Sequence, residues 1–418
     1  MRFRFLQLAI IAGAASSIFA QTDSRTAEIA AQQEEKAAHT TPPEPNRIER
    51  GLIAFRDRNL LGRLSEGAGG FHPLFGGLAV GQGFGLGMAY QRTDLLDGQI
   101  TFRASGLASF QSANKFDLQV AAPKLSGGRY FAEFYSVRHE YPRMSYYGSG
   151  ADSHKTGRTD FLLEDTAVDA TFGVRPAKHL SVGGSAGYVF NNIGPGSESR
   201  YTNAELVYSP AQAPGIDVQS NFLRTGAFAQ YDWRDNPDGP RRGGNYFAQF
   251  SDYRDRTFGL ANYRRLDSEV QQYVSALNQR RVFAFRAKSA MTFTDDGRAI
   301  PFYMQPSLGG SEDLRGYRPY RFRGNNSVVA NAEYRWEIFS GLDMALFADA
   351  GRVYDRRSDF SWRHMQSDVG FGFRFNARNK TFLRLDTGFS HEGFQVWVRF
   401  ANVFKKGPVH TSSSMGDF

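Results

Sequence analysis

The chain of 418 residues contains no cysteine. This absence excludes disulfide frameworks, thiol catalysis, cysteine-ligated metal sites and lipid attachment to an N-terminal cysteine. Long apolar runs are also missing, because the one stretch that resembles a membrane helix, Phe5 to Ala15, is too short to span a bilayer. With 22% charged residues and a mean hydropathy of −0.46, the chain is not a polytopic helical membrane protein.

Blocks of positive charge are absent as well. The formal net charge is +8, but lysines and arginines occur singly along the chain rather than in clusters. This distribution argues against nucleic-acid binding. The eight histidines show no metal-ligand spacing, so we expect neither a metal site nor a cofactor.

The N-terminus has the pattern of an export signal. Arg2 and Arg4 precede the apolar stretch, and Ala20 offers a small residue at the cleavage position. We therefore expect a signal peptide at 1–20. The polar, proline-containing segment at 21–70 is predicted to be a tail or linker with room for a short helix, and 405–418 to be a C-terminal tail.

From residue 71 to residue 404 the hydrophobicity alternates with period two, which is typical of β-strands. Val369, Phe371 and Phe373, for example, alternate with Gly370 and Gly372. A soluble sandwich and a membrane barrel both give this pattern. The polar faces carry full charges of both signs in strand after strand, which favours an all-β transmembrane antiparallel barrel of about sixteen strands. The pattern itself yields about fifteen strands, and we expect the missing one at Phe71 to Ala79, just before the predicted first strand.

The predicted first strand, Leu78 to Tyr90, has an unusual face composed of small residues. This face carries Gly81, Gly83, Gly85 and Gly87. In a closed barrel the strand must meet the last one, which spans 393–404 and carries Phe400 and Phe404. Glycine weakens a strand and leaves room beside it. The glycines therefore predict either a weak seam between first and last strands or relief of crowding inside the barrel.

A long connection at 295–326 carries the most specific motif of the chain. The tetrapeptide Leu314, Arg315, Gly316 and Tyr317 follows a pair of glycines, and Phe347-Ala348-Asp349-Ala350-Gly351 lies two strands later. Together with the closing strands, these motifs resemble the BamA/TamA superfamily of outer-membrane insertases and translocators, also called bacterial surface antigens. From the residues alone, a solvated surface loop in which Arg315 pairs with nothing is the favoured interpretation.

The resemblance implies a sixteen-stranded barrel in the Gram-negative outer membrane whose long sixth loop folds into the lumen. There Arg315 pairs with Asp349, and Glu333 and Arg384 are candidate second partners on neighbouring strands. It also implies that the first and last strands separate to template incoming strands. The partners would be outer-membrane lipid, client outer-membrane or secreted proteins, and the general barrel-assembly machinery for the chain's own insertion. The family's periplasmic domains do not fit before residue 71, which predicts a barrel-only member.

Two other functions stay open at this point. A passive channel could keep the same fold, with the loop only narrowing the pore. A barrel esterase is the third hypothesis, because Ser185 lies in a Gly-x-Ser-x-Gly pattern and His391 near the closing strand. That pattern needs a strand–turn–helix elbow, whereas here it falls within a predicted strand, so we expect no enzyme.

Overall fold

The computed structural model describes residues 69–400, apart from positions 77, 278, 296, 340, 378 and 379. The predicted signal peptide, nearly all of the predicted N-terminal tail, Phe404 and the C-terminal tail lie outside the described residues. The strands are β1 Phe71–Phe75, β2 Gly85–Leu95, β3 Ile100–Ser109, β4 Asn114–Leu125, β5 Tyr130–Tyr146, β6 Thr159–Ala177, β7 Leu180–Pro195, β8 Phe222–Asp232, β9 Gly243–Asp255, β10 Tyr263–Ala276, β11 Arg281–Thr294, β12 Ser307–Leu308, β13 Phe322–Arg323, β14 Asn326–Phe339, β15 Leu342–Tyr354, β16 Gln366–Ala377, β17 Lys380–Ser390 and β18 Gly393–Arg399.

Helical structure is sparse in this part of the chain. The α-helix α1 covers only Ala204–Val207. Single 3₁₀ turns lie at Ser126–Gly128, Lys155–Gly157, Phe302–Met304, Arg357–Asp359 and Trp362–His364. None of the helices among the described residues is long and apolar enough to cross a membrane.

Sixteen strands form one sheet, in which each strand pairs antiparallel with its neighbour in the chain. The exceptions are β12 and β13, which form a separate two-stranded sheet in the long connection between β11 and β14. Within residues 69–400, no backbone ladder joins β1 to β18. The prediction of an all-β barrel sheet of about sixteen strands is confirmed.

The two faces of the sheet differ as a membrane barrel requires. On β16, Val369 is 59% exposed, whereas Asp368 and Arg374 are almost fully buried on the opposite face. The same contrast holds on β15, where Leu346 is exposed and Asp349 is buried. Apolar side chains thus point away from the barrel and charged ones point into it, as expected for strands between lipid and a polar interior.

The start of the barrel differs from its prediction. β1 lies where the missing strand is expected, but β2 begins only at Gly85, so the segment from Leu78 to Phe84 connects the two strands. Gly81 and Gly83 therefore lie outside any strand, with φ of 91° and 82°. Alternating glycines imitate period two, but these two adopt left-handed backbone conformations that favour glycine and cannot continue a ladder.

The long connections pack against one another at one end of the barrel. The ring of Phe302 lies 4.9 Å from that of Tyr146 and 5.0 Å from that of Phe161, between centroids. Tyr303 accepts a hydrogen bond from the backbone N–H of Ser220 at 2.9 Å. All three aromatic side chains that contact Phe302 in this way are buried. This cluster covers the end of the barrel at which the long connections meet.

Candidate functional site

The loop between β12 and β13 carries the predicted motif and lies inside the barrel. Leu314 and Tyr317 are buried together with Phe322 at the base of the loop, and this group packs against Val329 and Val353 of β14 and β15. The backbone N–H of Tyr317 bonds to the carbonyl of Leu314 at 3.1 Å, which makes a tight turn at the tip. The turn directs the Arg315 side chain toward the wall formed by β14 and β15.

Arg315 is fully buried and is held by two carboxylates. Its Nε and Nη2 donate to Asp349 at 2.7 and 2.8 Å, and its Nη1 donates to Glu333 at 2.7 Å. The guanidinium carbon also lies 3.5 Å above the centre of the Phe347 ring. Such a two-pronged contact with a carboxylate is directional as well as strong. Burial by itself lowers the pKa of Arg315, but the charges of Asp349, Glu333 and Asp386 and the hydrogen bond to Asp349 together raise the pKa well above its usual value.

Glu333 joins this contact to further arginines of the barrel wall. It accepts hydrogen bonds from Arg335 Nε at 2.6 Å and from Arg374 Nη2 at 3.0 Å. Arg374 in turn donates to Asp386 at 2.6 Å. The loop arginine is therefore one member of a charge network that spans β14 to β17. Within such a network, removing one charged side chain leaves the opposite charges that it contacted buried and uncompensated.

Arg384 does not contact the carboxylates that hold Arg315. Its Nη2 donates instead to the backbone carbonyl of Ser311 at 2.9 Å and to Glu312 at 3.2 Å. Both acceptors lie on the same loop, just before the motif. Arg384 thus contributes to holding the loop, but through residues that the sequence analysis did not identify.

The two residues after Arg315 fit closely against the opposite part of the wall. A Cβ on Gly316 would lie 2.5 Å from the Cβ of Asp368, and a Cβ on Gly388 would lie 2.5 Å from the Arg315 carbonyl. The Tyr317 hydroxyl lies 3.0 Å from His391 Nδ1. Burial and the charge of Asp368 raise the pKa of Tyr317 to about 12, so its hydroxyl stays protonated. Glycine is thus required where the loop touches β16 and β17.

The seam residues occupy different places. Gly85 and Gly87 lie on the inward face of β2, while Gly81 lies against the loop, where a Cβ would be 3.6 Å from Pro319. Phe400 follows β18, and its ring lies 5.7 Å from that of Phe84 and 6.2 Å from that of Phe75. Side chains of the two ends of the sheet therefore meet, although the described residues form no backbone ladder there.

Trp397 is an aromatic residue on the otherwise polar face of β18 and was not identified as a site residue from the sequence. Its Nε1 donates to the backbone carbonyl of Arg315 at 2.7 Å. Arg374 and Asp386 were also not identified as site residues. An aromatic residue out of phase with its strand, and opposite charges on adjacent polar faces, were the signals that could have identified them.

Ser185 and His391, the residues of the esterase hypothesis, lie in surroundings that do not match a serine esterase site. Ser185 lies within β7, where it pairs with Thr171 and Gly226, and no turn or helix follows it. His391 contacts the Tyr317 ring and hydroxyl. Among the described residues, no group of histidines and carboxylates is arranged to hold a metal ion.

Comparison with known proteins identifies related barrels. A family model described as the Omp85 superfamily domain matches residues 165–390, just over half of the chain. BamA from Haemophilus ducreyi lacking POTRA domains 1–3 is 13% identical, with a TM-score of 0.56 over 78% of this chain and 67% of that one. CdiB from Escherichia coli is also 13% identical, with a TM-score of 0.54 over 78% and 61%. At this identity the two structures show a shared fold alone. No curated protein matches significantly.

Proposed function

This chain belongs to the Omp85 superfamily and is a β-barrel of the Gram-negative outer membrane, and from this premise we propose that it assists the insertion or translocation of proteins, or of lipids, at that membrane. The predicted resemblance to the BamA/TamA superfamily is thereby confirmed. The proposed clients are outer-membrane or secreted proteins, and the surrounding partner is outer-membrane lipid. The chain spans less than two thirds of the CdiB chain, so its clients and partners are part of the proposal.

The observation that carries the proposal is the character of the seam. β1 has five residues and β18 has seven, and they meet through side chains such as Phe75 and Phe400. The edge of a strand can pair with an incoming strand through main-chain hydrogen bonds. In the proposed mechanism the first and last strands separate and template such a strand, while Arg315 and Asp349 keep the loop in place.

A passive channel with the same fold is the alternative. The aromatic cluster around Phe302 fills the end at which the long connections meet, and the loop tip with Arg315 occupies the interior. Both features argue against a wide water-filled pore. Planar bilayers distinguish the two functions, because a channel predicts large, steady conductance, whereas the proposed insertase predicts small or intermittent currents.

The direct test locks the seam covalently. The chain has no cysteine. In a Gly76→Cys, Phe400→Cys variant, the two introduced cysteines can therefore form a disulfide only with each other within the chain. An ideal Cβ at Gly76 lies 3.8 Å from the Cβ of Phe400, close to the usual value of about 3.8 Å in disulfides. Gly76 has φ of 75°, so cysteine there costs roughly 1–2 kcal/mol of backbone strain.

The readout is the folded outer-membrane proteome of cells that express this pair, compared under oxidising and reducing conditions. We expect insertion to fall to the level of cells lacking the chain when the pair is oxidised, and to recover on reduction. The two single-cysteine variants are matched controls and should not respond to oxidation. Insertion that continues with a fully oxidised seam contradicts lateral opening.

A further inference from the structure

We infer that Trp397 is a positioning residue that couples the lumen loop to the last strand, so that release of Arg315 from Asp349 also releases β18. The inference rests on the proposed function, because it explains how the state of the loop reaches the seam. Trp397 lies on β18, and its indole N–H bonds the carbonyl of the same residue whose side chain is clamped by β14 and β15. One residue thus connects two distant parts of the wall.

The contact belongs to a small set of bonds between the motif and the last hairpin. Ser390, at the end of β17, donates its hydroxyl hydrogen to the carbonyl of Gly316 at 2.9 Å. Gly388 allows the Arg315 backbone to approach β17 closely, as its missing Cβ shows. The backbone of residues 315–316 therefore fits against β17 and β18 only while the contacts of the Arg315 side chain with β14 and β15 hold the loop tip in its present position.

Trp397 is the member of this set that reaches the edge strand itself. β18 is paired with β17 from Ser390↔Gly393 to Arg384↔Arg399, and no ladder on its other side is described. A strand held by one ladder depends more on side-chain contacts than a strand held by two. A single hydrogen bond contributes roughly 0.5–1.5 kcal/mol in proteins, which corresponds to about a two- to tenfold change in an opening equilibrium.

Arg399 extends the same connection across the seam. It lies two residues after Trp397 on the inward face of β18, and its Nη1 donates to the carbonyl of Leu78 at 3.4 Å. Its Nε lies 3.9 Å from Glu312, the loop residue that also binds Arg384. The loop therefore contacts the last strand at Trp397 and Arg399, and through Arg399 it reaches the connection between β1 and β2.

Hydrogen exchange tests the coupling in the full chain reconstituted in lipid. Local opening of a strand sets the exchange rate of its amides. Replacing Trp397→Phe keeps the ring and removes the N–H, and we expect the amides of β18 and β1 to exchange about fivefold faster. Trp336→Phe is the matched control, because Trp336 stacks on Tyr334 on the lipid face and should leave exchange at the seam unchanged.

The coupling itself is measured by combining Trp397→Phe with Arg315→Ala. If release of Arg315 already withdraws the carbonyl from Trp397, the double variant exchanges no faster than Arg315→Ala alone. A purely local role of Trp397 predicts instead that the two effects multiply. Multiplying effects, or a change below twofold for Trp397→Phe alone, overturn the inference.

The oxidised Gly76→Cys, Phe400→Cys pair separates this inference from the proposed function. With the seam closed covalently, Trp397→Phe should no longer accelerate exchange in β1. If it still does, the effect reaches β1 by a route other than opening of the seam, and the inference is wrong. Insertion by the oxidised barrel contradicts the proposed function, whereas the exchange results for the coupling are independent of that outcome.

Discussion

At the scale of single residues, the site depends on a charge that is fully withdrawn from water. Arg315 is 0% exposed and meets both oxygens of Asp349 and one oxygen of Glu333. Such an arrangement stabilises the loop position only while every partner is present, because an isolated buried charge is costly. The loop is therefore held in one place rather than adjusted gradually.

Replacing Arg315→Ala should leave Asp349 and Glu333 without their shared cation. Breaking a buried pair costs about 3–5 kcal/mol. We therefore expect the barrel to unfold at a lower temperature when samples are heated before gel electrophoresis. We also expect the loop to become accessible to protease. Asp349→Ala should act similarly, and the double variant should be no worse than the more affected single. Arg264→Ala, at an exposed site, is the control. Wild-type behaviour of Arg315→Ala in both assays contradicts the account.

Gly316→Ala tests the fit of the loop against the wall without changing any charge. The added methyl would lie 2.5 Å from Asp368 Cβ and 3.0 Å from the Phe389 backbone, so the loop tip must shift. We expect faster proteolysis of the loop than in the wild type. Gly194→Ala is the matched control, because its methyl meets only Leu162 at an ordinary 3.6 Å. Equal proteolysis of both variants would count against close contact.

At the scale of elements, the sequence predicts strands well where both faces are distinct. The alternation of polar and apolar residues on β14 to β18 matches the two faces of the sheet. Asp349, Glu333 and Arg374 are buried on the inner face, opposite apolar residues on the outer face. The first strand, β1, lies where the missing strand was expected, but the alternation did not reveal it directly, because β1 has only five residues and includes Pro73. Gly81 and Gly83 were assigned to a strand because spacing does not reveal the sign of φ. The path of the long loop depends on contacts far apart in sequence, and only the family motif indicated it.

The turn between β8 and β9 makes a second contact across the interior. Arg241 donates to Asp343 at the start of β15, at 2.8 and 3.1 Å, and to the carbonyl of Gln279 at 2.6 Å. Asp235 accepts from the backbone N–H of Arg241 at 3.1 Å and so shapes the turn. By the direction of the strands, this turn lies at the end of the barrel opposite the long connections.

Arg241→Ala should loosen this turn without unfolding the barrel. The arginine side chain is 27% exposed, so its loss should cost only about 1 kcal/mol or less. We expect proteinase K to cleave within 233–242 several times faster, while the heat resistance of the barrel stays close to that of the wild type. Asp343→Ala should give the same cleavage pattern. Unchanged cleavage in both variants would show that the contact does not hold the turn.

At the scale of the whole molecule, every inference depends on the orientation of the two sheet faces. If apolar side chains meet lipid and charged ones face the interior, then the Arg315 network is shielded, the loop has a lumen to occupy and the seam opens into the membrane. Trp336 and Trp397 represent the two faces, since Trp336 stacks on Tyr334 among apolar neighbours and Trp397 bonds the loop. Their surroundings can be compared in one experiment.

The measurement that tests this claim most directly is fluorescence quenching by lipids brominated along their acyl chains. Two variants are reconstituted, each with Trp336 or Trp397 as its single tryptophan and phenylalanine at the other three positions. We predict strong quenching of Trp336 and weak quenching of Trp397. Strong quenching of Trp397 together with protection of Trp336 would show that the faces are reversed and would contradict the account.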